Sequence, residues 1–118
     1  MLRRVFGPRS SDESGLTQRD KAMFDEFRKL GTDFARPRHI DHFFVLHDED
    51  AATRLSNRLS PPLECNIHDV GGSWTVEASL VMPLSEELIQ VTRPRFEALA
   101  KEFGGTYDGW GAEGDGPS

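Results

Sequence analysis

The chain has 118 residues, a length that suits one ordinary domain and not two. Its 20 acidic residues outnumber its 14 basic ones, and the net charge of −6 argues against a general nucleic-acid binder, which would present a basic face. Because the sequence has no membrane-length apolar run, no apolar core of a secretory signal and a single cysteine, we expect a cytoplasmic protein without an internal disulfide.

The first predicted element is a helix that follows an N-terminal tail. Residues 1–15 mix arginine with glycine, proline and serine without periodicity, so we expect a flexible tail. Thr17 can then cap a helix, and apolar residues follow at helical spacing until Gly31 provides a stop. This helix needs a surface to pack on, either on the open face of a sheet or at a sheet edge.

A strand and a second helix come next. Residues 39–47 place apolar side chains on both sides of an extended chain, which is typical of a central strand. Asp48 can cap the following helix, and Pro61-Pro62 ends it.

The clearest unit is a hairpin formed by residues 63–70 and 73–82 around Gly71-Gly72. A two-residue Gly-Gly loop fits a tight turn because glycine accepts positive φ at both positions. With Val70 opposite Ser73, one face of the hairpin becomes apolar and the other polar, and a slip by one residue would destroy this sorting. The apolar pairs are Ile67 with Val76, Cys65 with Ala78 and Leu63 with Leu80, and the polar pairs are His68 with Thr75, Asn66 with Glu77 and Glu64 with Ser79.

The last part of the chain predicts a helix and a short strand. Ser85 can cap the helix, and Pro94 interrupts its apolar stripe, so we expect a kink or a split near Thr92. Arg93 and Arg95, on either side of Pro94, could bind an acidic partner or a phosphate, but we interpret them as surface residues at this break. After Gly104-Gly105, residues 106–110 form a short edge strand, and residues 112–118 are expected to be a disordered tail.

These elements predict an α+β domain with a ferredoxin-like β-α-β-β-α-β order over residues 16–111. Right-handed crossovers place two helices on one face of a four-stranded antiparallel sheet, and the N-terminal helix is an addition to this pattern. The other face of the sheet would meet water.

Four histidines raise the question of a metal site. His39 and His42 would point to opposite faces of one strand, and the histidine spacing matches no common zinc pattern. His47 and His68 could share a sheet face with Glu77 if the strands align. A metal-binding or small-molecule-binding site on the open face is therefore an alternative function.

The sequence contains no catalytic signature. Cys65 is predicted on the buried face, where a thiol behaves as a small apolar group. The Gly71-Gly72 pair joins two strands, so it cannot direct a helix N-terminus at a phosphate. We therefore predict a protein that is not an enzyme, with no catalytic residue, no metal and no cofactor.

The final strand combines glycines with two aromatic residues, Tyr107 and Trp110. Exposed Tyr and Trp are common anchors of interfaces, whereas buried ones would close the core. In a regular strand the two would point to opposite faces, which leaves both interpretations open for Trp110.

The segment from Leu99 to Gly111, and above all its Tyr107-Asp108-Gly109-Trp110-Gly111 run, resembles the C-terminal signature of the ribonuclease E inhibitor family, regulator of ribonuclease activity B. The strand around His42 and the helix after Asp48 are also similar to the family pattern, and the resemblance covers about residues 17–111. It implies a ferredoxin-like domain without catalytic activity. It also implies binding to the endoribonuclease outside its catalytic centre, with an effect on RNA processing.

Three functional hypotheses follow. The first is a bacterial, cytoplasmic regulator that binds a protein partner, possibly ribonuclease E or its assembly, without contacting nucleic acid or membrane. The second is the metal or small-molecule site named above. The third is a monomer that associates weakly into a homodimer through Phe43, Val45, Val70 and Val81. The predicted partner-binding residues are Glu64, Asn66, His68, Thr75 and Glu77 on the polar sheet face, together with Tyr107, Asp108 and Trp110 at its edge.

Overall fold

The computed structural model describes residues 15–114, so most of the predicted N-terminal tail and residues 115–118 lie outside the described residues. Residues 15–114 form three helices and four strands, and among them no helix has the length and apolarity needed to span a bilayer. The elements are α1 (Gln18–Lys29), β1 (Arg38–Leu46), α2 (Glu49–Leu59), β2 (Glu64–Val70), β3 (Ser73–Met82), α3 (Glu86–Glu102) and β4 (Thr106–Ala112).

The four strands form one antiparallel sheet in the order β2-β3-β1-β4. This order and the helix placement confirm the predicted ferredoxin-like fold. The hairpin register is also confirmed, because Val70 pairs with Ser73 and Ile67 pairs with Val76. The turn works because Gly71 and Gly72 adopt φ angles of 60° and 92°, which other residues rarely accept.

One apolar cluster lies between the sheet and the helices α2 and α3. It is built from alternate residues of the central strands and from the inward stripe of α2, as the periodicity predicts. Its buried members are Phe44, Leu46, Ala51, Ala52, Leu55, Leu59, Val76, Ala78 and Ala100.

A second apolar cluster places α1 on the same side of the sheet. The Phe24 ring lies 5.5 Å from the ring of Trp110, and Trp110 pairs with His42 on the covered face of β1. The N-terminal helix therefore extends the helical layer and leaves the other sheet face uncovered by residues 17–31. The buried members of this cluster are Leu16, Phe24, Phe27, Ile40, Leu84, Ile89 and Trp110.

The predicted split of the last helix at Pro94 is wrong. Helix α3 runs as one α-helix from Glu86 to Glu102 with Pro94 inside it. Proline removes one backbone donor, but Ile89 and Ala100 are buried on either side of it and anchor both halves to the sheet.

The last strand contains an irregularity that the sequence pattern did not predict. Phe43 pairs with Gly109 whereas the next residue, Phe44, pairs with Tyr107, so Asp108 is an extra residue in β4. Such a bulge shifts the alternation of the strand by one position. Tyr107 and Trp110 therefore both lie on the covered face. Beyond the strand, the backbone N–H of Glu113 still donates to the His39 carbonyl.

Candidate functional site

The uncovered face of the sheet, which we call the open face, carries three rows of side chains that cross β1, β3 and β2 in that order. The rows follow from the strand register and from the alternation of side chains along each strand. They are Asp41, Ser79 and Glu64, then Phe43, Glu77 and Asn66, and then Val45, Thr75 and His68.

The structure brings five of the eight predicted partner-binding residues together on the β2–β3 half of this face. Glu64, Asn66 and His68 are exposed on the edge strand, and Thr75 and Glu77 are half-buried on its neighbour. The alternation of burial along β2, with Cys65 and Ile67 less exposed than their neighbours, agrees with one covered and one open side.

Polar side chains on the open face bond to one another across the strands. The Ser79 hydroxyl donates to the Asp41 carboxylate over 2.5 Å between oxygens. The His68 ring nitrogen Nε2 lies 3.3 Å from Oε1 of Glu77, a contact with both side chains open to solvent. Asp41, Glu64 and Glu77 give this face three carboxylates, so it is an acidic surface at neutral pH.

Apolar residues lie beside and at the ends of this acidic surface. Phe43 and Val45 are half-buried on β1, and Val70 and Val81 are 61% and 54% exposed. On the β4 side, a Cβ atom at Gly111 would lie 3.9 Å from the Phe43 ring, so the absence of a side chain keeps that ring open. These are the four residues of the homodimer hypothesis, and the structure places them all on or at the ends of the open face.

The other three predicted partner-binding residues do not join this surface. Trp110 is only 5% exposed and belongs to the core, and Tyr107 is half-buried on the covered side. Asp108 is exposed at the bulge of the other sheet edge. The bulge explains the difference, because the predicted opposite orientation of Tyr107 and Trp110 requires a regular strand.

A buried ionic network at the junction of α1, α3 and β4 was missed by the sequence reasoning. Asp20 is 1% exposed, and its carboxylate accepts hydrogen bonds from Nε and Nη2 of Arg93 at 2.9 and 2.6 Å. The same carboxylate accepts from the Trp110 indole over 2.9 Å and from the Thr17 backbone N–H over 3.1 Å. Arg93 is thus an anchor for α1, and the interpretation as a surface arginine is wrong.

The pKa of Asp20 reflects these bonds. Burial by itself would raise the pKa of the carboxyl, but the donors from Arg93, Thr17 and Trp110 outweigh burial and hold the pKa below its usual value. The capping box between Thr17 and Asp20 was the sequence signal of this site, because a residue that starts a helix can also point into the core.

A second polar pair is buried next to this network. The His42 ring nitrogen Nδ1 and the Tyr107 hydroxyl are 2.8 Å apart, and the His42 ring also meets the Phe96 ring edge-on at 4.8 Å. Burial lowers the pKa of His42 to about 4 and raises the pKa of the Tyr107 hydroxyl. His42 is therefore a neutral core residue at pH 7.

A mixed-charge cleft lies outside this junction, along β4. It has a volume of about 270 Å³ and is lined by Arg19, Arg93, Glu97, Tyr107 and Asp108, among others. Two of these lining residues already pair with each other, because Nη1 of Arg93 lies 3.4 Å from Oε2 of Glu97.

The residues of the metal hypothesis do not converge. Only His68 and Glu77 are in contact, and His47 follows β1, two strands away from β2. Within residues 15–114, no three His, Cys, Asp or Glu side chains form a group that could hold a metal ion.

A protein-family model described as regulator of ribonuclease activity B matches residues 17–112, from the cap of α1 to the last residue of β4. No curated protein matches the chain.

Proposed function

The chain belongs to the regulator of ribonuclease activity B family, and from this membership we propose that it regulates a ribonuclease by binding it, without catalysing a reaction. The proposed partner is ribonuclease E or its assembly, and the proposed compartment is the bacterial cytoplasm, where RNA is processed. Catalytic residues and a cofactor have no part in this proposal.

The observation that carries the proposal is the open face of the sheet. The three helices of residues 15–114 lie on the opposite side, so within this part of the chain a surface four strands wide is left free for a partner. Polar residues predominate on the β2–β3 half of this surface, and the half-buried Phe43 and Val45 lie on β1 beside Asp41. Such a mixture of polar and apolar residues is found in non-obligate protein interfaces.

The charge of the open face indicates the chemistry of the partner surface. Asp41, Glu64 and Glu77 would attract lysine and arginine side chains and would speed association more than they would tighten it. The same carboxylates would repel the phosphates of RNA. The proposed contact is therefore with a basic segment of the ribonuclease protein and not with its RNA substrate.

Capture of the ribonuclease from native lysate at low salt tests the proposal. Wild-type protein is expected to retain ribonuclease E, and the double variant Glu64→Lys/Glu77→Lys is expected to retain at least about tenfold less. The matched control is Glu26→Lys, which makes the same reversal on the exposed side of α1 in the helical layer. Failure of the wild-type protein to retain any ribonuclease would overturn the proposal.

Sedimentation at micromolar concentration tests the competing occupant of the open face, which is a second copy of the chain. A stable dimer that is lost in Val70→Lys/Val81→Lys would assign the face to self-association. A monomer that still captures the ribonuclease would assign it to the partner.

A further inference from the structure

Strand β2 is one edge of the sheet, and its outward backbone groups can be identified from the hairpin. In a two-residue hairpin the residues next to the loop exchange both backbone hydrogen bonds, so Val70 and every second residue before it bond inward to β3. The N–H and C=O groups of Cys65, Ile67 and Asp69 therefore point away from the sheet. No residue among 15–114 bonds to these outward backbone groups.

This edge lacks three devices that commonly block strand addition, namely proline, lysine and a bulge. β2 has none of them over its seven residues, ECNIHDV, and its pairing with β3 is regular throughout. The opposite edge strand, β4, is interrupted by the bulge at Asp108.

The two sides of the edge differ in chemistry. On the covered side, Cys65 and Ile67 are half-buried apolar groups next to the buried Ala78 and Val76. On the open side, Glu64, Asn66 and His68 are exposed and polar. An added strand would place every second side chain against each of these two surfaces.

We infer that the free edge of β2 accepts an extended segment in which basic residues alternate with apolar ones, and that the edge uses this addition to hold the ribonuclease. The apolar side chains of the segment would pack beside Cys65 and Ile67, and its basic side chains would lie near Glu64. Backbone hydrogen bonds to the outward groups supply affinity, and the alternation supplies specificity. The identity of the partner rests on the proposed function, but the chemistry of the edge does not.

The charge of β2 favours a basic segment over a second copy of the strand. Glu64 and Asp69 are exposed on opposite sides of β2, and β2 carries no lysine or arginine, so a second copy offers these carboxylates no opposite charge. A segment with basic side chains supplies that charge.

A synthetic peptide of alternating lysine and valine is the direct probe, and a peptide of the same composition with its lysines in one block is the control. On titration into the isotope-labelled protein, the alternating peptide is expected to shift the amide signals of Cys65, Ile67 and Asp69 and to slow their hydrogen exchange at least about tenfold. The block peptide is expected to bind at least about tenfold more weakly. Equal binding of the two peptides, or shifts centred on β4, would overturn the inference.

The variant Ile67→Pro removes the outward N–H at the centre of the edge, and Ile67→Ala is its matched control because both variants lose the isoleucine side chain. We expect the proline variant to bind the alternating peptide at least about tenfold more weakly than the alanine variant. Should the proline variant not fold, Glu64→Lys reverses the charge beside which the basic side chains of the segment would lie, and Glu26→Lys is then its control. Unchanged binding of the alternating peptide by Glu64→Lys would overturn the inference.

Ribonuclease capture separates this inference from the proposed function. If wild type and Ile67→Pro retain ribonuclease E equally, the binding function stands and strand addition is wrong. If wild type retains no ribonuclease but the alternating peptide protects the β2 amides, the edge site stands and its assignment to the ribonuclease is wrong.

Discussion

The two faces of the sheet carry different kinds of side chains. The covered face carries the apolar clusters and two buried polar pairs, Asp20 with Arg93 and His42 with Tyr107. The open face carries side chains whose polar contacts are with one another and with solvent, such as the pair of His68 and Glu77. Substitutions on the covered face should therefore change stability, and substitutions on the open face should change binding.

The difference between the two faces also explains the role of the Tyr107–Gly111 run, which resembles the family signature. Its two aromatic residues lie on the covered side, where Trp110 joins α1 to the sheet and Tyr107 meets His42. These two residues maintain the fold, whereas the acidic open face is the surface proposed for a partner.

The largest expected effect is that of Trp110→Ala. The side chain is 5% exposed and touches two rings of α1, so its loss should lower the free energy of unfolding by about 3–5 kcal/mol in urea denaturation. Trp74→Ala, which truncates a half-buried indole at the end of β3, should cost less. A small stability loss accompanied by a loss of ribonuclease capture would instead make Trp110 a contact residue.

The next effect is that of Asp20→Asn, which leaves Arg93 at 11% exposure with only its longer contact to the half-exposed Glu97 carboxylate, at 3.4 Å, as a counter-charge. Removing one partner of a buried ion pair typically costs about 3–5 kcal/mol, and we expect the lower end because asparagine still accepts one hydrogen bond. Asp25→Asn on the exposed side of the same helix should change stability by less than about 0.5 kcal/mol. Equal effects of the two substitutions would contradict an anchoring role for Asp20.

Acid should destabilise the covered face through His42. The pKa of His42 is about 4 in the folded protein and 6.5 in the unfolded chain, so only the unfolded chain takes up the proton between these values. The free energy of unfolding should therefore be highest above pH 6.5 and fall by about 3 kcal/mol as the pH drops to 4, since one pKa unit corresponds to about 1.4 kcal/mol.

The measurement for His42 is urea unfolding at several pH values between 7 and 4, with His42→Gln as the comparison. Asp41, Arg93 and Tyr107 are the ionisable groups near His42, and Asp20 contributes separately. Because the pKa of Asp20 is lowered in the folded protein, its contribution to the free energy of unfolding is lost only as the pH falls through and below the usual carboxyl pKa. The effects of His42 and Asp20 therefore occur in different pH ranges. A pH slope in His42→Gln as steep as that of wild type would show that another group is responsible.

The sequence predicts the sheet well because its register rests on local rules. Gly71-Gly72 permits one tight turn, and the sorting of apolar and polar residues around it excludes a shift by one position. The open face follows from that register, and so do its five clustered residues from Glu64 to Glu77. The same reasoning could not place α1, because an amphipathic helix shows which side it buries but not what it packs against.

The sequence misplaced two groups of residues, and in both cases their positions depend on features that local sequence patterns do not show. A bulge adds one residue without leaving a pattern in the sequence, and the extra Asp108 reverses the side to which Tyr107 points. Asp20 and Arg93 are 73 residues apart in the chain, so their pairing depends on the tertiary placement of α1. Local rules treat both as surface charges, because a buried charge is costly until its partner is known.

The smallest stability effect is expected for Glu77→Gln on the open face. The contact of Glu77 with His68 is open to solvent, and exposed pairs of this kind contribute about 0–1 kcal/mol, so urea denaturation should barely distinguish the variant from wild type. Binding should respond instead, because the variant removes one of the three carboxylates proposed to attract a basic segment. We expect the affinity for ribonuclease to fall by up to about tenfold at low salt and the difference to shrink at high salt, where screening removes the attraction from wild type as well. A clear loss of stability with unchanged affinity would reverse the proposed division between the two faces at this position.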